Sequence, residues 1–154
     1  MEEADRFYRE ALVIENKLSP NGVEITKTLN NLGLSAWRRG NLDRAEEYYR
    51  QTLTIQQKLV PGSLDVAMSL NNLGLVAWER GDLDKAEEYY HQALTIKEKL
   101  APKSLNVANT LNNLGLVAGA RRDLGCFQTS VSRSLVLERR PRAVTCFPAI
   151  GDFL

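Results

Sequence analysis

The chain has 154 residues, of which 44% are hydrophobic and 25% are charged, and its formal net charge is +1. This composition is typical of a soluble folded protein, and the charge balance argues against a nucleic-acid or acidic-membrane binder, which usually carries a basic excess. No run of about 18 apolar residues occurs, so no membrane span is expected. The acidic start lacks the pattern of a secretory signal, so we expect a cytoplasmic protein in which Cys126 and Cys146 are free thiols.

A repeat of 41 residues organises most of the sequence. The segment 29–34, LNNLGL, recurs at 70–75 and again at 111–116. Three sets of identical residues keep the same spacing: Pro20, Pro61 and Pro102; Ala4, Ala45 and Ala86; Tyr8, Tyr49 and Tyr90. Agreement at this many positions indicates an array of similar units, each stacking on its neighbours.

The first predicted element is a lone second helix over 2–18, because these residues match later second helices. The partial unit it belongs to covers about 1–20, and two full units follow at about 23–61 and 64–102. In the second full unit, Ser63 and Asp82 are placed to cap two helices, predicted over 64–80 and 83–100 with a turn at Gly81. Gly74 and Ala86 are small where the two helices must approach closely.

The last unit, at about 105–140, is degenerate. Its first helix is predicted over about 105–120 and its second over about 123–139, although Phe127 stands where earlier units have alanine. Beyond Arg140 the repeat is lost, and Pro141 and Pro148 disfavour a continuous helix. Residues 141–154 are therefore expected to form a C-terminal tail outside the stack, after a 1–140 repeat domain of about seven helices without strands.

The spacing of leucine, glycine, alanine, tyrosine and proline resembles the tetratricopeptide repeat. In the second full unit the matching residues are Leu70, Leu73, Gly74, Ala77, Gly81, Ala86, Tyr90 and Pro102. The usual unit has about 34 residues, and the longer unit here is more similar to the repeats of kinesin light chains and nephrocystin-type proteins. The resemblance implies an all-α, right-handed α-solenoid of antiparallel helix pairs whose first helices line a concave groove. It also implies an adaptor or scaffold that holds a peptide or helix of a partner protein, with no catalytic residues and no cofactor.

Asparagine pairs on the first helices are the leading candidates for the groove. Asn31, Asn72 and Asn113 match the position where related repeats carry an asparagine ladder, and each has an asparagine before it: Asn30, Asn71 and Asn112. A carboxamide offers both a donor and an acceptor, so a row of them can bind the backbone of an extended peptide. The alternative is that one asparagine of each pair bridges neighbouring repeats.

Two tryptophans and two charged residues complete the candidate groove. Trp37 and Trp78 occupy equivalent first-helix sites, where they either anchor apolar groups of a partner or pack between repeats. Arg38 and Glu79 follow them with opposite charge, so the groove has no uniform sign. The basic residues that a clamp for acidic C-terminal tails needs are absent from the matching positions, which carry asparagine.

Enzymatic and metal-binding functions find no support in the sequence. His91 is the only histidine, and its equivalents Arg9 and Arg50 indicate a solvated second-helix position. The two cysteines match no metal-ligand spacing, and no phosphate-binding loop occurs. The main alternative to peptide binding is self-assembly, because neither terminal repeat is clearly capped and two chains could stack end to end as a homo-oligomer.

Overall fold

The computed structural model describes residues 2–19 and 22–136, with the side chains of 3–19, 22–122 and 124. These residues form six α-helices: α1 Glu2–Leu18, α2 Val23–Arg38, α3 Leu42–Leu59, α4 Leu64–Glu79, α5 Leu83–Leu100 and α6 Leu105–Val136. No strand occurs in them, as the helical periodicity predicts. The chain divides into two compact units, Met1–Val117 and Ala118–Leu154, and the predicted tail 141–154 lies outside the described residues.

Capping residues and glycines set the helix boundaries of the full repeats. The side chains of Asn41, Ser63 and Asp82 each accept a hydrogen bond from the backbone N–H three residues later, at 3.2, 3.3 and 3.2 Å. Gly40 and Gly81 have φ values of +72° and +78°, a left-handed conformation that residues with a Cβ atom rarely adopt. Each full unit is therefore two helices joined by one tight glycine turn.

Within each full unit, a tyrosine ring of the second helix packs on a glycine of the first. A Cβ atom added at Gly33 would lie 2.5 Å from the Tyr49 ring, and one added at Gly74 would lie 2.6 Å from the Tyr90 ring. The alanine one turn before each tyrosine is fully buried. These small residues let the helices approach closely, as the sequence predicts.

Helix α6 departs from the prediction. The expected break between 120 and 123 is wrong, because α6 runs without interruption from Leu105–Val136. The repeat places Arg122 where Gly40 and Gly81 form the turns, and the left-handed conformation is unfavourable for a side chain with a Cβ atom. The helix therefore continues, and the described residues contain six helices instead of about seven.

Arginines at equivalent positions tie neighbouring repeats together. Arg39, at the end of α2, forms an ion pair with Asp5 of α1, and the Asp5 side chain is almost fully buried. Arg80, at the end of α4, pairs with Asp43 at 2.6 Å and Glu46 at 2.8 Å, both on α3. Each arginine thus connects a first helix to the second helix of the preceding repeat.

Candidate functional site

A cleft lies on the first-helix side of the stack, between α2 and α4. It has a volume of about 160 Å³. Its lining combines apolar, charged and amide side chains: Val23, Thr26, Lys27, Asn30, Gln56, Asp65, Met68 and Ser69. Val23 and Met68 are both more than two-fifths exposed, so the cleft offers accessible apolar surface between a lysine and an aspartate. It can accept an apolar side chain of a partner and, next to it, polar backbone.

The asparagine pairs form a ladder across successive first helices. Asn72 Nδ2 donates to Asn30 Oδ1 at 3.0 Å, and Asn113 Nδ2 donates to Asn71 Oδ1 at 3.4 Å. Members of both rows therefore contact each other, whereas the sequence left open whether one asparagine of each pair bridges repeats. Each carboxamide uses only part of its bonding capacity in this ladder, since it has two N–H donors and an oxygen with two lone pairs.

The two ends of this ladder are different from its middle. Asn31 and Asn112 are exposed, whereas Asn30, Asn71, Asn72 and Asn113 are half-buried. Neither Asn31 nor Asn112 makes a side-chain hydrogen bond with the residues that the structure describes. The three residues of the predicted peptide-binding row, Asn31, Asn72 and Asn113, are therefore not equivalent.

Beneath the ladder, a second series of polar pairs joins each second helix to the first helix that follows. Equivalent hydroxyl groups and polar side chains meet at 3.0, 2.7 and 2.7 Å: Thr28 with Glu15, Ser69 with Gln56, and Thr110 with Lys97. The Thr110 hydroxyl also lies 3.3 Å from Asn71 Oδ1, which connects the two series. The charge at the equivalent second-helix position therefore changes from negative to neutral to positive along the array.

Lys97 is the buried cation of this series. Its side chain is only 4% exposed, and its hydrogen-bond partner is the neutral Thr110 hydroxyl. Burial lowers the pKa of Lys97 because it disfavours the charged ammonium group. A buried cation beside a hydroxyl group costs more free energy than the Gln56–Ser69 pair one repeat earlier.

Both tryptophans are half-buried in packing contacts between helices. Trp37 packs against a core cluster that includes Ala36, Tyr49 and Leu73, and Trp78 packs against the equivalent cluster around Ala77. Part of each tryptophan remains accessible to solvent. Both tryptophans therefore pack between helices, and only their accessible part could contact a partner.

Arg38 and Glu79 are exposed beside buried tyrosines. Burial raises the pKa of Tyr49 to about 12, and the neighbouring Arg38 charge acts in the opposite direction. Burial, together with the smaller effect of the Glu79 charge, raises the pKa of Tyr90 to about 12. Neither charged residue lines the cleft between α2 and α4. They flank the first-helix surface without joining the asparagine ladder.

A larger cleft of about 430 Å³ lies on the second-helix side. It opens between α1 and α3 above the buried residues Ile25 and Leu29. Its rim includes polar residues such as Asn16, Gln51 and Thr54. This cleft is an alternative binding place for a partner, and no sequence pattern indicated it.

Sequence reasoning also missed the cleft residues Val23, Lys27, Asp65 and Met68. Their equivalents differ from repeat to repeat, so no repeated residue marks them. The buried polar pairs could have been found, because positions 15, 56 and 97 are polar at the 41-residue spacing, as are 28, 69 and 110. A buried face that stays polar in every unit indicates hydrogen bonding between helices.

Neither a metal-binding cluster nor a membrane-spanning helix occurs in the described part of the chain. No group of three or more histidine, cysteine, aspartate or glutamate residues there could hold a metal ion. None of its helices is both long and apolar enough to cross a membrane. The side chains of Cys126 and Cys146 lie outside the described residues.

Comparison with known proteins agrees with this geometry. The tetratricopeptide repeat family matches residues 1–58 and 65–125, and no curated protein sequence matches the chain. Among solved structures, BtubC (BKLC) from P. vanneervenii is similar, with 26% identity and a TM-score of 0.74 over 99% of this chain. The match covers 64% of the BtubC chain, so this chain spans less than two thirds of its length. The repeats, the all-α solenoid fold and these matches show that the chain belongs to the tetratricopeptide repeat family, with long repeats of the kinesin light chain type.

Proposed function

We propose that the chain is a non-catalytic adaptor whose first-helix side binds an extended peptide segment of a partner protein. Repeats of this family generally mediate protein–protein interaction. The observation that carries the finer proposal is the cleft between α2 and α4, where exposed Val23 and Met68 lie beside the amide ladder. An apolar side chain of the partner would enter the cleft, and its backbone would hydrogen-bond to Asn30 and Asn72.

The polar groups around the cleft restrict which segment would bind. The lining contains one positive side chain, Lys27, and one negative side chain, Asp65. A peptide in which an acidic and a basic residue flank an apolar residue would therefore complement the charges of the cleft. The remaining donors and acceptors of the Asn30 and Asn72 carboxamides match the alternating groups of an extended backbone. Each such bond contributes roughly 0.5–1.5 kcal/mol, and the buried apolar side chain contributes about 1.5–3 kcal/mol.

A peptide-display selection with the full chain tests this proposal. Selected peptides are expected to lose at least about tenfold in affinity for Met68→Lys, because a lysine cannot leave water for an apolar cleft without cost. Thr54→Lys is the matched control, since it adds the same charge to the rim of the second-helix cleft. Fluorescence anisotropy would measure both. Binding that is lost in Thr54→Lys and kept in Met68→Lys would move the site to the other side of the stack.

Self-assembly is the second candidate function. It is favoured by apolar surface at both ends of the array: Phe7 of α1 is 54% exposed and Leu111 of α6 is 50% exposed. In the full repeats the equivalent residues are half-buried or buried. Sedimentation velocity over a wide concentration range tests it, and a constant monomer mass would exclude it.

A further inference from the structure

The start of α6 carries an uncovered face that is covered in both preceding first helices. Leu29 and Leu70 are 2% and 3% exposed beneath their second helices, whereas the equivalent Leu111 is 50% exposed. The tyrosine rings pack on Gly33 and Gly74, but no atom of the described residues lies within 4 Å of a Cβ added at Gly115. Among the residues that the structure describes, nothing covers the face of α6 that would receive a second helix, including its slot for an aromatic ring.

Helix α1 carries the residues that cover this face elsewhere. Ala4 and Tyr8 match Ala45 and Tyr49 of α3 at the same spacing. Ala45 is fully buried and Tyr49 is 3% exposed, but Ala4 is exposed and Tyr8 is half-buried. The side of α1 that would pack on a first helix of its own repeat is therefore open as well. The two open faces have the same residue pattern as the paired faces inside the full repeats.

The asparagine ladder gives a second, independent indication. It joins each asparagine of the Asn30 row to the one 42 residues later. If the ladder continued by one more repeat, an asparagine at the position of Asn31 would donate to Asn112. Asn31 and Asn112 are the exposed ends of the ladder. A second copy that placed its α1 on α6 would therefore also bring its own Asn31 next to Asn112.

We propose that α6 binds α1 of a second copy of this chain, with the partner's Tyr8 on Gly115 and the partner's Asn31 donating to Asn112. This inference rests on self-assembly as the second candidate function, and it specifies its interface. The contact is heterologous, so it leaves an open α1 at one end and an open α6 at the other. Chains would therefore add head to tail and continue the repeat from one copy to the next.

Sedimentation velocity on the full chain, with single variants at each face, tests this arrangement. The wild-type mass is expected to rise with concentration beyond a dimer. Gly115→Ala should weaken association at least about tenfold, because the added methyl group fills the slot for the ring. The variant should stay folded, since alanine favours a helix more than glycine does. Asn106→Ala, an exposed α6 change that also raises helix propensity, is the control and should associate like wild type, because its α2 equivalent Glu24 does not line the cleft between successive first helices.

Mixing two variants separates this interface from any other. Tyr8→Ala and Gly115→Ala each keep one intact face, so each alone should self-associate at least about tenfold more weakly than wild type. An equimolar mixture should give dimers through the two intact faces at concentrations where neither variant alone associates, and these dimers should grow no further. In chains with both natural cysteines changed to serine, Asn31→Cys and Asn112→Cys should form a disulfide only when mixed. A wild-type monomer at every concentration would overturn self-assembly itself. Association that both face variants leave unchanged would overturn this interface and retain self-assembly.

Discussion

The two full repeats and the start of α6 share the LNNLGL segment, but they differ in how much of it is buried. In α4 this segment is covered by α5, and Leu70, Leu73 and Gly74 are buried. In α6, Leu111 and Gly115 are exposed. The segment itself is unchanged, so the difference lies in the residues that follow it. A first helix becomes half of a pair only when the chain turns back behind it.

The turn depends on a single backbone conformation. Gly40 and Gly81 reverse the chain with positive φ, and the equivalent Arg122 lies inside α6. Two first helices that share the LNNLGL segment thus differ in how far it is buried, because the turn glycine that follows the segment in the full repeats is an arginine in the last one. In a repeat protein each unit packs only on its neighbours. A missing turn therefore leaves a first-helix face that is complementary to a second helix.

The largest expected effect comes from placing the same side chain in a closed and in an open slot. Gly74→Val should destabilise the chain by about 3 kcal/mol, because its side chain must displace the buried Tyr90 ring. Gly115→Val should change the free energy of unfolding by less than about 1 kcal/mol, since the space there is open and valine tolerates a helix better than glycine. Urea unfolding at low protein concentration measures both. Equal losses would show that the α6 slot is filled.

A smaller effect is expected at the bond that holds α1. Arg39→Ala should cost about 2 kcal/mol, because it leaves the buried Asp5 carboxylate with only the more distant and half-exposed Arg9, at 3.6 Å, as its cation. Arg80→Ala should cost less than about 1 kcal/mol, since Asp43, one of its two partners, is almost fully exposed. Denaturant unfolding, followed by far-ultraviolet circular dichroism, would rank the two. Equal costs would show that burial does not distinguish these ion pairs.

The same ion pair has an expected pH dependence. Burial opposes ionisation of Asp5, but hydrogen bonds from Ser35 and Arg39 and the charges of Arg39 and Arg9 outweigh it, and the pKa falls below 3.8. A lowered carboxyl pKa stabilises the fold above the unfolded-state pKa, and this contribution disappears as the pH falls through the folded-state pKa. Wild type should therefore lose this increment below about pH 4, and Arg39→Ala should lack it.

Restoring the turn should close the open face from within the chain. The double variant Arg122→Gly/Phe127→Ala supplies the turn glycine and the small residue that both full repeats have. Residues 123–139 are then expected to fold back over Leu111, raising the free energy of unfolding by about 1.5 kcal/mol through apolar burial. Concentration-dependent association should fall in parallel. A variant that gains stability but associates like wild type would show that α6 is not the docking face.

The smallest effect is expected at the buried lysine between α5 and α6. Lys97→Gln should stabilise the chain by about 1 kcal/mol at pH 7, since it recreates the neutral Gln56–Ser69 pair. Because the folded-state pKa of Lys97 is lowered, the cost of its charge is fully present below that pKa and fades as the pH rises toward the unfolded-state value. The advantage of glutamine should therefore shrink toward pH 10 in thermal melts. If the stability advantage of glutamine did not change with pH, it would come from packing and not from the lysine charge.

The sequence by itself determined the repeat and the helix boundaries of the two full units, because these depend on local signals. Ser63 and Asp82 cap helices with their own side chains, and Gly81 turns the chain through its own backbone freedom. The small residues Gly74 and Ala86 also followed from the sequence, since a 41-residue period implies repeated close packing. The continuous α6 was visible in principle at Arg122, where the turn glycine is missing, but the repeat pattern outweighed that single residue.

Only the tertiary structure decided which equivalent residues share an environment. Identical asparagines have different roles, since Asn72 and Asn113 donate across repeats whereas Asn31 and Asn112 end the ladder. The cleft between α2 and α4 joins residues from three helices, and the sequence gives no distance between them. Burial and hydrogen bonding depend on what lies opposite a side chain, and the period of a sequence specifies position along the array but not the presence of a neighbour.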